Sequence, residues 1–144
     1  MKIGIISDTH NLLRAEVLET LKEAEVILHG GDICKKAVLD ELAQIAPVYA
    51  VQGNNDKDMP FLPVFMDMEL GGIRIYLTHK KKNIPEEDNA YDLIVYGHSH
   101  KFEVKKKHNT IYLNPGCCGI RKKDQEISMA MVNVDEDGKI TGLF

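Results

Sequence analysis

Three short apolar runs alternate with two segments of helical periodicity in the first half of the chain. The runs cover residues 2–7, 26–29 and 47–52 and have the composition of buried parallel strands. Residues 14–24 and 36–45 place apolar side chains three or four positions apart, as an amphipathic helix does. This order predicts a parallel sheet with right-handed crossovers, and therefore an α/β fold.

The second half of the chain is richer in hairpins. Gly71-Gly72 between two apolar runs is a strong signal for a two-residue turn. The pattern predicts strands at residues 64–70, 73–78, 92–96, 102–107, 111–114, 127–134 and 139–144. Together with the first half, these strands predict an α/β architecture in which a two-sheet β-sandwich is flanked by helices.

The length of the chain, 144 residues, suits a single domain spanning residues 1–144. The N-terminus lacks the pattern of a signal peptide, and no apolar stretch approaches the roughly 20 residues that a membrane helix needs. Cys34, Cys117 and Cys118 are odd in number and poorly spaced for a disulfide framework, so we expect reduced thiols. These features predict a cytoplasmic protein with no membrane partner.

The charge of the chain is unevenly distributed. A net charge of −4 disfavours a dedicated nucleic-acid binder that is held mainly by phosphate contacts. Three basic clusters nevertheless occur, at residues 80–82, 105–107 and 121–123. Each cluster is either a solvated loop or hairpin edge, or a feature that helps to attract an anionic substrate. Both interpretations stay open at this point.

Polar residues follow the end of almost every predicted strand. Ligand sites of α/β sheets lie beyond the carboxyl ends of the strands, so we expect these residues to converge. The segments concerned are Asp8-Thr9-His10, Gly30-Gly31-Asp32, Gly53-Asn54-Asn55-Asp56, His79, Gly97-His98-Ser99-His100 and Asn114-Pro115-Gly116. The sequence therefore predicts that carboxylates, imidazoles and an amide gather in one place.

This set of side chains is typical of a metal site. Asp8 and His10 are two positions apart, so on an extended backbone both side chains leave the same side and can bind one ion; His98 and His100 repeat the arrangement. Mixed carboxylate and imidazole ligands suit Mn, Fe or Zn better than Mg or Ca alone. A lone Asp-x-His is more often a capped turn, and a lone histidine more often a structural residue. The metal interpretation depends on all the segments occurring together.

The order of these motifs resembles that of the calcineurin-like metallophosphoesterase superfamily. The small size and the segment Asn114-Pro115-Gly116 are similar to its small prokaryotic phosphodiesterase branch. The resemblance implies a phosphodiesterase with two divalent ions, with Mn²⁺ expected first and Ni²⁺, Fe²⁺ or Zn²⁺ as alternatives. The substrate would be a small phosphate ester, attacked by a hydroxide that bridges the metals.

The resemblance also implies roles for individual residues. Asp8, His10, Asp32 and His100 would hold the first ion, and Asp32, Asn54, His79 and His98 the second. Asp32 would bridge the two ions, and Asp32, Asn54 and His79 would act directly at the reacting phosphate.

Two positions depart from the pattern of the family. Many relatives carry a histidine that can protonate the leaving group where this chain has Asn55, and an amide cannot act as a general acid. We therefore expect Asn55 to contact the substrate and the enzyme to prefer diesters with good leaving groups. Lys80 stands where many relatives have glycine, and its charge either contacts a substrate phosphate or points to solvent.

Other polar residues near these motifs have simpler interpretations. We expect Asp56 either to form a salt bridge or to orient the Asn54 loop, and not to bind a metal itself. We expect His29 to be a buried hydrogen-bonded residue and His108 to be exposed in a turn. The adjacent Cys117 and Cys118 point opposite ways on an extended backbone and are not expected to chelate one ion.

Several other functions compete with the phosphodiesterase. A serine hydrolase would need a G-x-S-x-G elbow, which the sequence lacks. An aspartate-nucleophile phosphatase leaves the later histidines unexplained, and an amidohydrolase barrel usually exceeds about 200 residues. A phosphomonoesterase and a non-catalytic scaffold like the one in the retromer coat stay open, as does a homo-oligomer. Few residues separate Asn54 from His79, so no specificity cap is expected there.

Overall fold

The computed structural model describes residues 1–119 and 126–143. The elements of these ranges are β1 (Lys2–Ile6), α1 (Ala15–Leu21), β2 (Val26–His29), α2 (Lys36–Ala43), β3 (Val48–Ala50), β4 (Phe65–Leu70), β5 (Ile73–Thr78), a 3-10 helix (Lys81–Asn83), β6 (Leu93–Val95), β7 (Phe102–Lys107), β8 (Thr110–Pro115), β9 (Ala130–Val134) and β10 (Ile140–Leu143). The basic cluster at residues 121–123 and the last residue of the predicted C-terminal strand lie outside the described ranges.

The first sheet contains the N-terminal strands in the order β10-β9-β1-β2-β3. β1, β2 and β3 are parallel, with Ile5 opposite Leu28 and Leu28 opposite Tyr49. β9 joins the other side of β1 in the antiparallel direction, and β10 pairs with β9. The predicted parallel arrangement of the first three strands is therefore confirmed.

The second sheet has the order β4-β5-β6-β8-β7. β4 and β5 form an antiparallel hairpin, and its turn at Gly71 and Gly72 has φ angles of 59° and 88°. Such positive φ values are readily adopted by glycine, which explains the turn signal in the sequence. β5, β6 and β8 are parallel, so their carboxyl ends lie at one edge of the sheet.

Two apolar layers hold the elements together. The layer between the sheets contains Ile5 and Leu28 from the first sheet and Ile75 and Val95 from the second, all fully buried. A second layer lies between the first sheet and the two α-helices, where Leu21 of α1 is fully buried and packs with its neighbours. The two-sheet sandwich flanked by helices is confirmed, and both described α-helices cover the first sheet.

The outer face of the second sheet is covered differently. Tyr76, Tyr91 and Ile94 form a small buried cluster there, and Ile84 and Tyr112 pack against it. Among residues 1–119 and 126–143, no α-helix lies on this face, and the short 3-10 helix follows the end of β5. No helix within the same ranges is long and apolar enough to cross a membrane.

Several elements are shorter than the sequence pattern predicts, among them α1, α2 and β9. α1 ends at Leu21 and α2 at Ala43, because the next residues form tighter bonds to carbonyls three positions back, such as Ala24 N–H to Leu21 O and Ile45 N–H to Leu42 O. β9 begins at Ala130, because the Ser128 hydroxyl donates to Pro115 O at the end of β8 (2.8 Å) and Ser128 N–H donates to Cys117 O (3.0 Å).

The layer between the sheets predicts a large effect of truncating Leu28, which is fully buried. We expect Leu28→Ala to lower the free energy of unfolding by about 2–5 kcal/mol, because it removes apolar contacts and leaves a cavity. Leu12, which is 39% exposed, provides a matched control, and Leu12→Ala should change stability by less than about 0.5 kcal/mol. Urea unfolding monitored by circular dichroism measures the free energy of unfolding of both variants. An equal loss of stability in Leu28→Ala and Leu12→Ala would contradict the assigned core.

Candidate metal centre

The loops that follow β1 and β2 run side by side beyond the ends of the strands. Asp8 N–H donates to Gly31 O, His10 N–H to Asp32 O and Asn11 N–H to Ile33 O, each at 2.9 Å. These bonds extend the pairing of the two strands past the edge of the sheet. These backbone contacts hold Asp8, His10 and Asp32 next to one another.

The backbone at these loops differs from the extended form that the spacing predicted. The φ angles are 55° at Asp8, 47° at His10, 58° at Asp32, 73° at His98 and 64° at His100. A residue other than glycine in this left-handed region costs on the order of 1–3 kcal/mol. The expectation that Asp8 and His10, and likewise His98 and His100, lie on an extended backbone is therefore wrong, because all four residues adopt the left-handed conformation. Such strain persists where the surrounding structure enforces it, and it concentrates at functional sites.

Four side chains form a compact group that could hold a metal ion. One ligand atom from each of Asp8, His10, Asp32 and His100 lies within 4.8 Å of the others. His10 Nε2 is 3.7 Å from Asp32 Oδ2 and 3.4 Å from His100 Nε2, and the latter is 3.3 Å from Asp8 Oδ1. The four residues that the sequence assigned to the first ion are thus brought together.

The second predicted group is more open. His79 Nε2 lies 3.5 Å from Asp32 Oδ2, and the rings of His79 and His98 are 5.2 Å apart between centroids. Asn54 lines the same cleft as His79, and both Asn54 and His98 are exposed. Asp32 Oδ2 therefore faces His10 Nε2 of the first group and His79 Nε2 of the second. The exposed side chains of Asn54 and His98 lie at the rim of the centre.

Three buried atoms of the centre have no hydrogen bond from the described residues: His100 Nδ1, Asp8 Oδ1 and His79 Nε2. The last two are explained by the contacts of their own side chains. Asp8 Oδ2 accepts bonds from the Ser7 hydroxyl at 2.7 Å and from His98 N–H at 3.2 Å, whereas Asp8 Oδ1 has no such partner. His79 Nδ1 donates to Gly30 O at 2.7 Å, which leaves the lone pair of Nε2 without a donor in residues 1–119 and 126–143. An unpaired buried lone pair is costly, and a cation beside Asp8 Oδ1 and His79 Nε2 would satisfy both. The donors present fit divalent ions.

Burial and neighbouring charges shift the pKa values of Asp32 and His79 in opposite directions. Burial raises the pKa of Asp32, but contact with His79 and the N–H of Asn55 outweighs it and holds the pKa below the usual range. Burial lowers the pKa of His79, and contact with Asp32 and the charge of Asp8 reverse this effect, so that the pKa is raised. Asp32 is therefore an ionised carboxylate at neutral pH.

Asp56 fixes the backbone around Asp32. Its carboxylate is fully buried and accepts four backbone N–H groups at 2.8 Å, two on each oxygen. The donors are Asp32, Ile33, Cys34 and Gly53. The expected orienting role of Asp56 is confirmed, and it extends further than predicted, since this residue ties the loops after β2 and β3 together.

His29 supports the same loops from below. Its Nδ1 accepts the N–H of Gly31 at 3.0 Å, so Nε2 carries the proton and donates to Thr9 Oγ1 at 3.0 Å. Burial lowers the pKa of His29 to about 4, with smaller effects from neighbouring charges. The histidine is neutral and hydrogen-bonded, as expected for a residue that orients others.

The sequence interpretation missed two contacts. Asn114 is fully buried and donates to Gly97 O at 3.2 Å and to Ser99 Oγ at 3.0 Å, which positions the loop that carries His98. Cys34 Sγ lies 3.8 Å from His10 Nδ1. The position of Asn114 at the end of a strand was a usable signal, whereas nothing in the sequence placed Cys34 next to His10. His108 is exposed, as predicted.

Residues 1–137 match the model described as the calcineurin-like phosphoesterase superfamily domain. The chain belongs to the calcineurin-like phosphoesterase superfamily. A curated relative, a phosphodiesterase of Methanocaldococcus jannaschii, is 30% identical to this phosphoesterase in an alignment that covers 83% of this chain and 86% of the relative.

Two solved structures show the same architecture. A structure described as a novel archaeal phosphodiesterase is 25% identical, with a TM-score of 0.79 and coverage of 98% of both chains. Wild-type Vps29 from Entamoeba histolytica, complexed with Zn²⁺, is 23% identical, with a TM-score of 0.78 and coverage of 100% of this chain and 98% of that one. At that identity the likeness to Vps29 shows the fold alone. The family indicates a phosphoric ester hydrolase that uses divalent metals, and the centre around Asp32 offers a donor set that fits them.

The role of Asp56 predicts that the phosphoesterase tolerates no amide at this position. Asp56→Asn replaces one acceptor oxygen by an NH₂ group that faces backbone donors, so we expect a loss of about 3 kcal/mol in unfolding free energy. The affinity for Mn²⁺ should fall roughly 10–100-fold, as for other residues that only orient ligands. Asp58→Asn, at an exposed site, is the control. Urea unfolding and Mn²⁺ titration test both; wild-type behaviour of the Asp56 variant would contradict the anchoring role.

The lowered pKa of His29 predicts a specific loss of stability in acid. Above pH 6.5 the histidine is neutral in both states, and between pH 6.5 and about 4 only the unfolded chain takes up the proton. Stability should therefore fall as the pH falls through this window, by up to roughly 3 kcal/mol from His29. His29→Asn keeps an acceptor for Gly31 N–H and should remove this part of the pH dependence. Parallel stability curves for both proteins in urea unfolding would refute the assignment.

Proposed function

We propose that this protein is a phosphodiesterase that works with two divalent ions. Asp8, His10, Asp32 and His100 hold one ion, and Asp32, Asn54, His79 and His98 hold the other. The observation that carries the proposal is the position of Asp32 Oδ2, 3.7 Å from His10 Nε2 and 3.5 Å from His79 Nε2. A single carboxylate oxygen that faces one nitrogen of each group is the arrangement that a bridging ligand needs.

The residues of the chain prepare the site for this chemistry. When bound, a metal pair lowers the pKa of a water that serves as nucleophile and neutralises the oxygens of the phosphate. His79 Nδ1 donates to Gly30 O, so Nε2 is the ring nitrogen that faces Asp32 and would hold an ion. Asp32 Oδ1 accepts the N–H of Asn55 at 2.9 Å, which keeps Oδ2 turned to the imidazoles. Mn²⁺ is the expected metal, with Ni²⁺, Fe²⁺ and Zn²⁺ as alternatives, since nitrogen and oxygen donors accept all four.

The surroundings of the centre favour a diester over a monoester. His79 and Asn54 line an open cleft of about 290 Å³, and residues 55–64 form turns without a helix or strand above it. An open cleft admits a phosphate with substituents on both sides. The name of the Methanocaldococcus relative, a phosphodiesterase, supports the same choice.

The direct test is hydrolysis of bis-p-nitrophenyl phosphate by the purified protein with and without Mn²⁺. We expect activity that depends on the metal, and Asp32→Asn should reduce it by more than the roughly 10–100-fold caused by losing an orienting residue. Asp40→Asn, the same change at an exposed site on α2, should keep the wild-type rate. Faster hydrolysis of p-nitrophenyl phosphate would indicate a monoesterase. Binding of metal without turnover of any ester would indicate a non-catalytic scaffold.

The residue at position 55 predicts how the rate depends on the leaving group. The Asn55 side chain is exposed beside the centre and cannot donate a catalytic proton, so the rate should fall steeply as the leaving phenol becomes a weaker acid. Asn55→His supplies a general acid, and we expect it to speed the poorest substrates by roughly 10²–10⁴-fold while changing the best ones little. A series of aryl phosphodiesters measures the slope. A wild-type rate that is independent of the leaving group would refute the proposal.

A further inference from the structure

The cleft beside the candidate centre is basic. Besides His79 and Asn54, its walls contain Lys80 and Lys82, and the remaining lining residues are Gln52, Gly53, Val64 and Asn83. No aspartate or glutamate is among these described lining residues, although the whole chain has a net charge of −4. Two positive charges are therefore concentrated where the substrate would lie.

The segment that carries the lysines is held in place by hydrogen bonds. The Tyr76 hydroxyl, on β5, donates to Asn83 O at 3.0 Å, and Asn83 N–H donates to Lys80 O at 3.0 Å. The intervening residue, Lys81, points elsewhere: its Nζ lies 3.5 Å from Glu103 Oε1 and 5.7 Å from the centroid of the Tyr96 ring. The turn thus sends its first and third lysines to the cleft and its second to the outer face of the sheet.

The charges of the proposed reaction leave positive charge in excess. Asp8, Asp32 and the buried Asp56 carry three negative charges, and a hydroxide nucleophile and a diester anion add two, against four positive charges from two divalent ions. A simple diester therefore needs one further positive charge, whereas Lys80 and Lys82 supply two. A second anionic group on the substrate would complement the excess.

We propose that Lys80 and Lys82 form a subsite for a second phosphate group, so that the preferred substrates are small phosphodiesters that carry a further phosphate. This inference rests on the proposed phosphodiesterase function and names its substrate class. Ammonium groups bind phosphate as point charges, so the subsite selects charge and distance from the reacting phosphorus rather than a particular base or sugar.

A matched pair of substrates tests the subsite. Thymidine 5′-(p-nitrophenyl phosphate) and the same compound with an added 3′-phosphate share one leaving group and differ only in the second phosphate. We expect the 3′-phosphorylated compound to have a KM about tenfold lower, a difference that shrinks as salt is added. Lys80→Gln/Lys82→Gln should bring the ratio of the two KM values close to one.

The control variant carries the same loss of charge at another place. Lys105 and Lys107 line a separate cleft on the outer face of the second sheet, together with Lys81 and Glu103. Lys105→Gln/Lys107→Gln should keep the tenfold KM ratio of the wild type. Equal KM values for the two substrates in the wild type would overturn the subsite, as would an equal effect of the Lys80/Lys82 variant on both substrates.

A binding measurement separates this inference from the proposed function. Isothermal titration of the Mn²⁺-loaded protein compares thymidine 3′,5′-bisphosphate with thymidine 5′-phosphate, and neither titration depends on turnover. We expect the bisphosphate to bind about tenfold more tightly, and the Lys80/Lys82 variant to lose this preference. Hydrolysis of both esters without any preference in binding would overturn the subsite and leave the phosphodiesterase standing. A preference for the bisphosphate in binding, without hydrolysis of either ester, would support the subsite and contradict the phosphodiesterase function.

Discussion

The carboxylate of Asp56 is the contact on which the rest of the centre depends. It accepts four backbone N–H groups at 2.8 Å and so joins the loop after β2 to the loop after β3. Hydrogen bonds to a carboxylate are stronger than those between neutral groups, and the Asp56 carboxylate is fully buried. This anchor offsets the left-handed backbone of Asp32, which has a φ of 58°. Without it, Asp32 would be free to relax to a backbone that no longer aims its carboxylate at the histidines.

The sandwich supplies the remaining geometry. The parallel strands β1 and β2 bring Asp8 and Asp32 together at the edge of the first sheet, and β5 and β6 bring His79 and His98 to the facing edge of the second. Gly97 N–H donates to His79 O at 3.0 Å, which continues the pairing of the second sheet into the centre. Asp32 lies where the two edges meet. The fully buried layer between the sheets therefore sets the distance between the two groups of ligands.

The sequence predicted the fold well because its signals are local. Alternating apolar runs and helical segments gave the parallel strands, and Gly71-Gly72 gave the hairpin between β4 and β5. The ends of elements were predicted less accurately where a tertiary contact decides them. Residues 127–129 have the pattern of a strand, but Ser128 bonds to Pro115 O at the end of β8 and to Cys117 O.

For the centre, the sequence predicted which residues gather but not how. The positions of Asp8 and His10 were clear from the ends of the strands. Their left-handed backbone was not, because it is imposed by hydrogen bonds from a loop more than twenty residues away along the chain. For the same reason the sequence predicted that Asp56 lies near the Asn54 loop. It did not predict that the Asp56 carboxylate accepts four backbone N–H groups from two loops. Long-range contacts of this kind leave no local pattern.

The central claim is that Asp32 lies between two divalent ions. Electron paramagnetic resonance of the protein titrated with Mn²⁺ tests it most directly, because two ions about 3.5–4 Å apart and joined by a bridging ligand are magnetically coupled. We expect two Mn²⁺ per chain, a coupled spectrum in the wild type, and loss of the coupling in Asp32→Asn. A single bound ion, or two ions whose spectra are uncoupled in the wild type, would contradict it.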